Sequence, residues 1–254
     1  FVDTPFGKQN TMSSYSDVVY PVTLTEFDIP YPNPYAYQFY PIVAVYAREY
    51  GFDAICQFDY TYRNRYDYVT DYFSLAQNAQ KKLALAVASY IFNLAQNLSV
   101  ERFENILKIT ADNIKVVVSN QDTVSVNFQD VKLSLSTKGS VFLMSLDKKK
   151  LFRPAQEALL VALAGIRNTN SYWNEYYHWG EAPTLLEKVL AEVRIGRAFH
   201  CWKLDKNGLV EEEVPVVKDG SEWVVQINKD SPVYLIRFDS VRMENLSLNG
   251  VNMD

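Results

Sequence analysis

The chain has 254 residues, a net charge of -5, and 48% hydrophobic against 22% charged residues, a globular composition long enough for one large core or two ordinary ones. The acidic balance argues against phosphate binding, which needs a basic stripe; the one tight basic run, Lys148-Lys149-Lys150 after Asp147, reads as a solvated hairpin turn. No run approaches the roughly 20 apolar residues of a membrane helix, so neither nucleic acid nor a membrane span is expected.

Residues 1–19 are largely polar and read as a loop or a short helix. Residues 20–26 form a short strand with a carboxylate, Glu26, at its end. The Pro-rich run 29–35 excludes helix and central strand. Apolar residues at helical spacing over 36–50 (Phe39, Ile42, Val43, Tyr46) predict a helix that Gly51 stops. Residues 52–60 are a second apolar strand whose far end carries Gln57, Asp59 and Tyr60. A Tyr/Arg-rich loop follows, and a second helix is predicted over 78–96, with Leu83, Val87, Tyr90, Ile91 and Leu94 on one face. Strand, helix, strand, helix is a βαβα unit with parallel strands, about a quarter of an eight-stranded α/β barrel.

After Asn113 the pattern becomes short alternating runs at 114–119, 123–128, 131–136, 141–146, 199–204, 223–227 and 233–238. Turn signals such as Asp205 to Gly208 and Lys218 to Gly220 separate them. Such runs predict a sandwich or barrel. The run 155–166 is ambiguous by period and is taken as a buried strand on the resemblance given below. The expected architecture is therefore α/β plus all-β: a partial (β/α)8 barrel over residues 1–112, then an antiparallel β-sandwich over 113–254. Two barrel strands alone leave open edges and an uncovered face, which predicts self-association, a rearranged αβ layer on the sandwich, or pairing with a missing N-terminal barrel segment.

Cys56 and Cys201 sit in apolar runs far apart and read as small buried hydrophobes. His178 and His200 are too few and too badly spaced for zinc. With no Gly-rich phosphate loop either, no cofactor and no metal are expected. The chain starts at Phe1 with no signal peptide, as a processed product or a fragment would.

Glu26 is the most informative residue. Carboxylates at strand C-termini of α/β barrels do chemistry, and one there can attack a sugar; the bland alternative is a loop carboxylate that only caps backbone. Asn33, Tyr31 and Tyr35 in the Pro/Tyr loop offer an amide and aromatic faces that suit a sugar, or simply pack a rigid loop. Asp59 has the alternative of pairing with Arg63 or Arg65. Trp173, Trp179 and His178 read mainly as glue between the sandwich and its neighbouring barrel, with sugar stacking as the alternative. Tyr66, Tyr68, Tyr72 and Phe73 read as loop packing.

Residues 21–35 with 54–60 resemble the last two strands of clan A glycoside hydrolases, most closely large bacterial multidomain members. The resemblance continues in order through 145–151, 159–170, Trp173-Asn174, 179–184 and 203–208. It implies that Glu26 is the nucleophile of a retaining enzyme and that Gln57, Asp59 and Tyr60 line a sugar pocket. It places the acid/base glutamate upstream of Phe1; Glu175, although it follows Asn174, does not follow a barrel strand and is not assigned that role. Phe27-Asp28 departs from the family pattern. The implied protein is the C-terminal part of an extracellular or periplasmic glycosidase acting on carbohydrate; a non-catalytic carbohydrate-binding or accessory module, and a structural surface protein without an active site, are the alternatives.

Overall fold

A computed structural model of the chain describes residues 21–59, 68–147, 151 and 155–239. Expectations at Tyr60, Arg63, Arg65, Tyr66, residues 1–19 and the lysine run 148–150 lie outside them. In chain order the elements begin with β1 (Thr23–Phe27), α1 (Ala36–Glu49), β2 (Ala54–Gln57) and α2 (Ala79–Leu94). Strands follow: β3 (Ser99–Phe103), β4 (Ile106–Ala111), β5 (Ile114–Ser119), β6 (Val124–Asn127), β7 (Val131–Leu135), β8 (Gly139–Ser145) and β9 (Glu157–Leu163). Next are β10 (Ile166–Thr169), β11 (Tyr172–Trp173), β12 (Tyr177–His178), β13 (Glu181–Leu186) and β14 (Ala191–Ile195). The last are β15 (Phe199–Leu204), β16 (Val210–Val214), β17 (Val216–Asp219), β18 (Glu222–Ile227) and β19 (Val233–Phe238).

Two antiparallel sheets dominate. One has eight strands in the order β16-β15-β19-β9-β8-β5-β4-β3, the other five in the order β17-β18-β14-β7-β6. Side chains from their facing surfaces interlock in one core, with Val117, Leu133, Leu143, Leu160, Val193 and Ile236 at its centre. Alternation selects that face: β7 reads buried–half-buried throughout, as a strand with one wet face should. Within the ambiguous run 155–166, Glu157–Leu163 is strand, as β9, and Ile166 opens β10.

The strands β5 and β8 behave differently. Nearly every residue in them is buried, so both faces of the eight-stranded sheet need a cover. The helices supply the second one. Val116, Val118, Phe142 and Leu163 pack with Tyr40, Ala44, Ala84, Val87 and Ile91 in a separate core. Helix α1 is buried on almost every side, because β1 and β2 lie on its other flank: Leu24, Phe27 and Ile55 pack into the same core. Helix α2 buries the stripe Lys81, Ala84, Ala88 and Ile91, the spacing of a helix with one wet face. It starts where the Asn78 side chain accepts the Lys81 N–H at 2.9 Å, an N-cap bond.

This arrangement corrects the expected partial (β/α)8 barrel. The described residues are mostly antiparallel β-sheet with two helices, and they have no barrel pattern. β1 and β2 do pair in parallel, but they form a two-stranded sheet by themselves. The helices are claimed by the doubly apolar eight-stranded sheet instead of ringing a barrel. The eight-stranded sheet takes strands from both sides of Asn113: β3 and β4 are hydrogen-bonded to each other and on to β5. Cys201 is buried as expected, but Cys56 is exposed, on the face of β2 turned away from the helices.

Candidate functional site

β1 runs out of the helix-covered layer into an irregularity. Leu24 pairs with Ile55 and Phe27 with Gln57, so Thr25 and Glu26 together oppose the single residue Cys56. That is a bulge, a device that re-aims a side chain. Glu26 takes the strain of it with φ at 51°, a left-handed value uncommon for a residue with a side chain. Its side chain is exposed. Among the described residues it makes no hydrogen bond or ion pair.

Two residues on, Asp28 is its opposite. The carboxylate is buried and paired with Lys81, whose ammonium is wholly buried, at 2.9 Å. The Lys81 ammonium also donates to the backbone carbonyls of Tyr72 at 3.2 Å and Phe73 at 3.4 Å. Asp28 accepts from its neighbour Ile29 N–H at 2.6 Å and from the Tyr40 hydroxyl. Burial pulls the Lys81 ammonium below its usual range and Asp28 pushes back. Burial raises the Tyr40 phenol well above its usual range, Asp28 adds to that, and the Gln57 side chain works against it. This triad joins the loop after β1 to both helices, and a buried charge pair of that kind holds geometry more than it adds stability. A lysine inside an otherwise apolar helix stripe was the one sequence signal for it, and the sequence reading passed over it.

The expected site residues divide. Gln57 faces Tyr40 and, with Phe27, Ile55, Leu85 and Phe92, lines an apolar cavity of about 440 Å³ between β2 and α2. Glu26, Asn33, Tyr35 and Asp59 do not line it. The Asn33 side chain accepts the Tyr35 N–H at 2.8 Å, a local turn bond that occupies its carbonyl. Tyr35 is exposed at the start of α1. The Asp59 carbonyl accepts from Leu75 N–H at 3.2 Å, which anchors the strand end of β2. Glu26 and Gln57 are thus brought to the same end of the strand pair. Asn33 and Tyr35 are held in the loop beyond it.

Trp179 packs among loop residues. It stacks on Tyr31 at 5.7 Å and meets Tyr72 at 5.0 Å. Trp173 is 65% exposed at the end of the β11–β12 hairpin. His178 stacks under Tyr172 at 4.2 Å. Tyr72 and Phe73 are exposed, more open than loop packing requires.

Among the described residues no three His, Cys, Asp or Glu side chains converge as metal ligands, and no helix is long and apolar enough to cross a membrane. No protein-family model matches the chain, and no curated protein matches it either.

Proposed function

We propose that this chain carries Glu26 as the nucleophile of a retaining glycoside hydrolase acting on glycans, with the acid/base supplied from outside the described residues. The observation that supports the reading is the contrast between two neighbouring carboxylates. Asp28 is buried and committed to Lys81. Glu26 is exposed and has no side-chain partner among the described residues, and a bulge with a left-handed backbone turns it at the end of β1. A nucleophile needs a free carboxylate in a fixed place, and among the described residues Glu26 meets both conditions. A structural carboxylate would look like Asp28.

In the first step a Glu26 carboxylate oxygen bonds to the anomeric carbon as the glycosidic C–O bond breaks. The leaving oxygen takes its proton from the acid. Water, giving its proton to the same group, then displaces Glu26 and releases the sugar. The partner carboxyl must come to roughly 5–5.5 Å from Glu26. Asp28 is unsuited to that part, since its oxygens are taken by Lys81, Tyr40 and Ile29.

The test compares the natural gene product and its Glu26→Ala variant on aryl glycosides. The expected result is turnover by the natural product that the variant loses. Undiminished turnover in Glu26→Ala would overturn the assignment.

A further inference from the structure

Aromatic rings run in unbroken contact from the end of β2 to the tip of the β11–β12 hairpin. Phe58, directly after β2, meets Phe73 at 5.8 Å, and Phe73 meets Tyr72 at 6.5 Å. Tyr72 meets Trp179 at 5.0 Å, Trp179 meets Tyr177 at 5.2 Å, and Tyr177 meets Trp173 at 4.9 Å. Packing explains the middle of this line, where Tyr177 and Trp179 are partly buried against Tyr31. It does not explain the two ends. Phe58, Tyr72 and Phe73 are exposed at one end, and Trp173 and Tyr176 at the other, Tyr176 to 73%.

The hairpin that carries the far end is tied down by a set of hydrogen bonds. Asn168 is buried beneath it with its hydrogen-bonding groups satisfied. Its amide nitrogen donates to the Val69 carbonyl at 2.6 Å and the Trp179 carbonyl at 2.8 Å, and its side-chain oxygen accepts from Thr184 at 2.6 Å. Its backbone N–H donates to the Tyr31 hydroxyl at 3.0 Å, which also accepts from the Tyr177 hydroxyl at 3.0 Å. Gly180 has φ at 67°, and a Cβ there would lie 2.1 Å from the Thr169 carbonyl oxygen, so the turn back from the hairpin requires glycine. Exposed rings on a preorganised support lose little freedom when a ligand lands on them.

The chemistry of the surface selects the ligand. Between residues 171 and 181 the fully charged side chains are Glu175 and Glu181, with no Lys or Arg, which disfavours a nucleic acid or an anionic lipid surface. The same stretch has no aliphatic residue larger than alanine, unlike the mixed core of a protein interface. Flat rings interspersed with exposed Asn170, Asn174 and Glu181 match a pyranose, which has a C–H face to stack on a ring and hydroxyls for amides and carboxylates.

We propose that this aromatic line is a glycan track leading from the Glu26 end of the strand pair, so that the substrate is a chain of several sugars, with Trp173 and Tyr176 gripping units remote from the cleaved bond. The claim rests on the glycosidase reading for its direction and on the rings alone for binding.

The test is an array of neutral gluco-, galacto-, manno- and xylo-oligosaccharides, α- and β-linked, from two to six units, probed with the full chain. The expected result is binding to at least one series that strengthens with length. Affinity should fall at least tenfold in Trp173→Ala with Tyr176→Ala and largely return in Trp173→Phe with Tyr176→Phe. Both residues are exposed, so unchanged thermal unfolding should accompany the loss. No bound series, binding without length dependence, or binding untouched by the double alanine variant would overturn the proposal. So would a concentration-dependent dimer abolished by that variant, which would assign the rings to a contact between chains. Length-dependent binding in a protein whose turnover ignores Glu26 would leave the track standing and remove the nucleophile; Glu26-dependent turnover without binding would do the reverse.

Discussion

In the double-sheet half, strands are buried by other strands: Leu133, Leu143, Val193 and Ile236 face one another across two sheets, and the pairing is regular along β5, β7, β9 and β14. In the β1–β2 layer, strands are buried on one face only, by helices. The other face, with Thr23, Thr25 and Cys56, is exposed. The first half is held by apolar alternation. The second adds polar fasteners: the Asp28–Lys81–Tyr40 triad, and Arg48 of α1, which donates to the Phe92 and Ala95 carbonyls at the end of α2. Regular pairing leaves little freedom to aim a side chain, whereas a short, one-sided strand pair tolerates a bulge. The exposed carboxylate sits in the half that can accommodate it.

That contrast can be broken most strongly at the triad. Lys81→Met leaves Asp28 buried without its cation, and loss of one member of a buried pair costs about 3–5 kcal/mol. Replacing both, with Asp28→Leu and Lys81→Met, should recover most of it. Chemical denaturation of the three proteins checks this; equal losses in the single and double variants would contradict the pairing. In the other half, Leu133→Ala removes a fully buried side chain between the sheets and should cost about 2–5 kcal/mol, read from the same transition. The hairpin support comes next. Asn168→Ala strands the partners of a satisfied amide and should cost about 1–3 kcal/mol, with loss of near-ultraviolet signal from Trp179.

Alkaline pH sharpens the comparison. Burial raises the phenols of Tyr37 and Tyr90, on the helices, to about 12, and also raises Tyr40 and Tyr46. In the sandwich Tyr234 is raised to about 12. A folded-state pKa above the unfolded value of about 10 contributes stability that is complete below pH 10 and is lost as pH rises through the folded value. Lys81, lowered by burial, works in the opposite sense below its unfolded pKa. Among the described residues, four raised phenols in the helix layer against one phenol and the buried Cys201 thiol in the sandwich put the helix layer at greater risk. Hydrogen exchange between pH 10 and 12 should show α1 and α2 opening before β7 and β14.

Much of this was readable from the chain. Both helices, β1, β2 and the strands β5, β7, β15 and β19 fall where period and turn residues place them, because each has one clear apolar face or an uninterrupted apolar run. The register of the whole was not readable. Ser99–Phe103 is mostly exposed and charged, so β3 has no apolar pattern to announce it, and Val210–Val214 is a run of glutamates paired on one edge. The barrel expectation failed for a related reason: a βαβα pattern fixes local pairing, while the surface that covers the helices is decided by the doubly buried strands β5 and β8, far along the chain. At the site, the strand-end position of Glu26 was visible, but its bulge was not, and the buried role fell to Asp28, which the sequence reading left unassigned. Trp173 and Trp179 look alike in sequence; only the fold separates the packed ring from the exposed one.

The smallest expected effect is also informative. Glu26→Gln removes an exposed carboxylate with no ion pair among the described residues, so stability should change by no more than about 0.5 kcal/mol. Such a variant separates chemistry from folding.

The most direct measurement is covalent trapping. The natural gene product is treated with 2,4-dinitrophenyl 2-deoxy-2-fluoro-β-glycosides of the gluco and galacto series, whose leaving group needs no acid, and digested for peptide mass spectrometry. The account predicts a fluoroglycosyl adduct on Glu26, absent from the Glu26→Gln variant. An adduct on another carboxylate, with Glu26 unmodified, would contradict it.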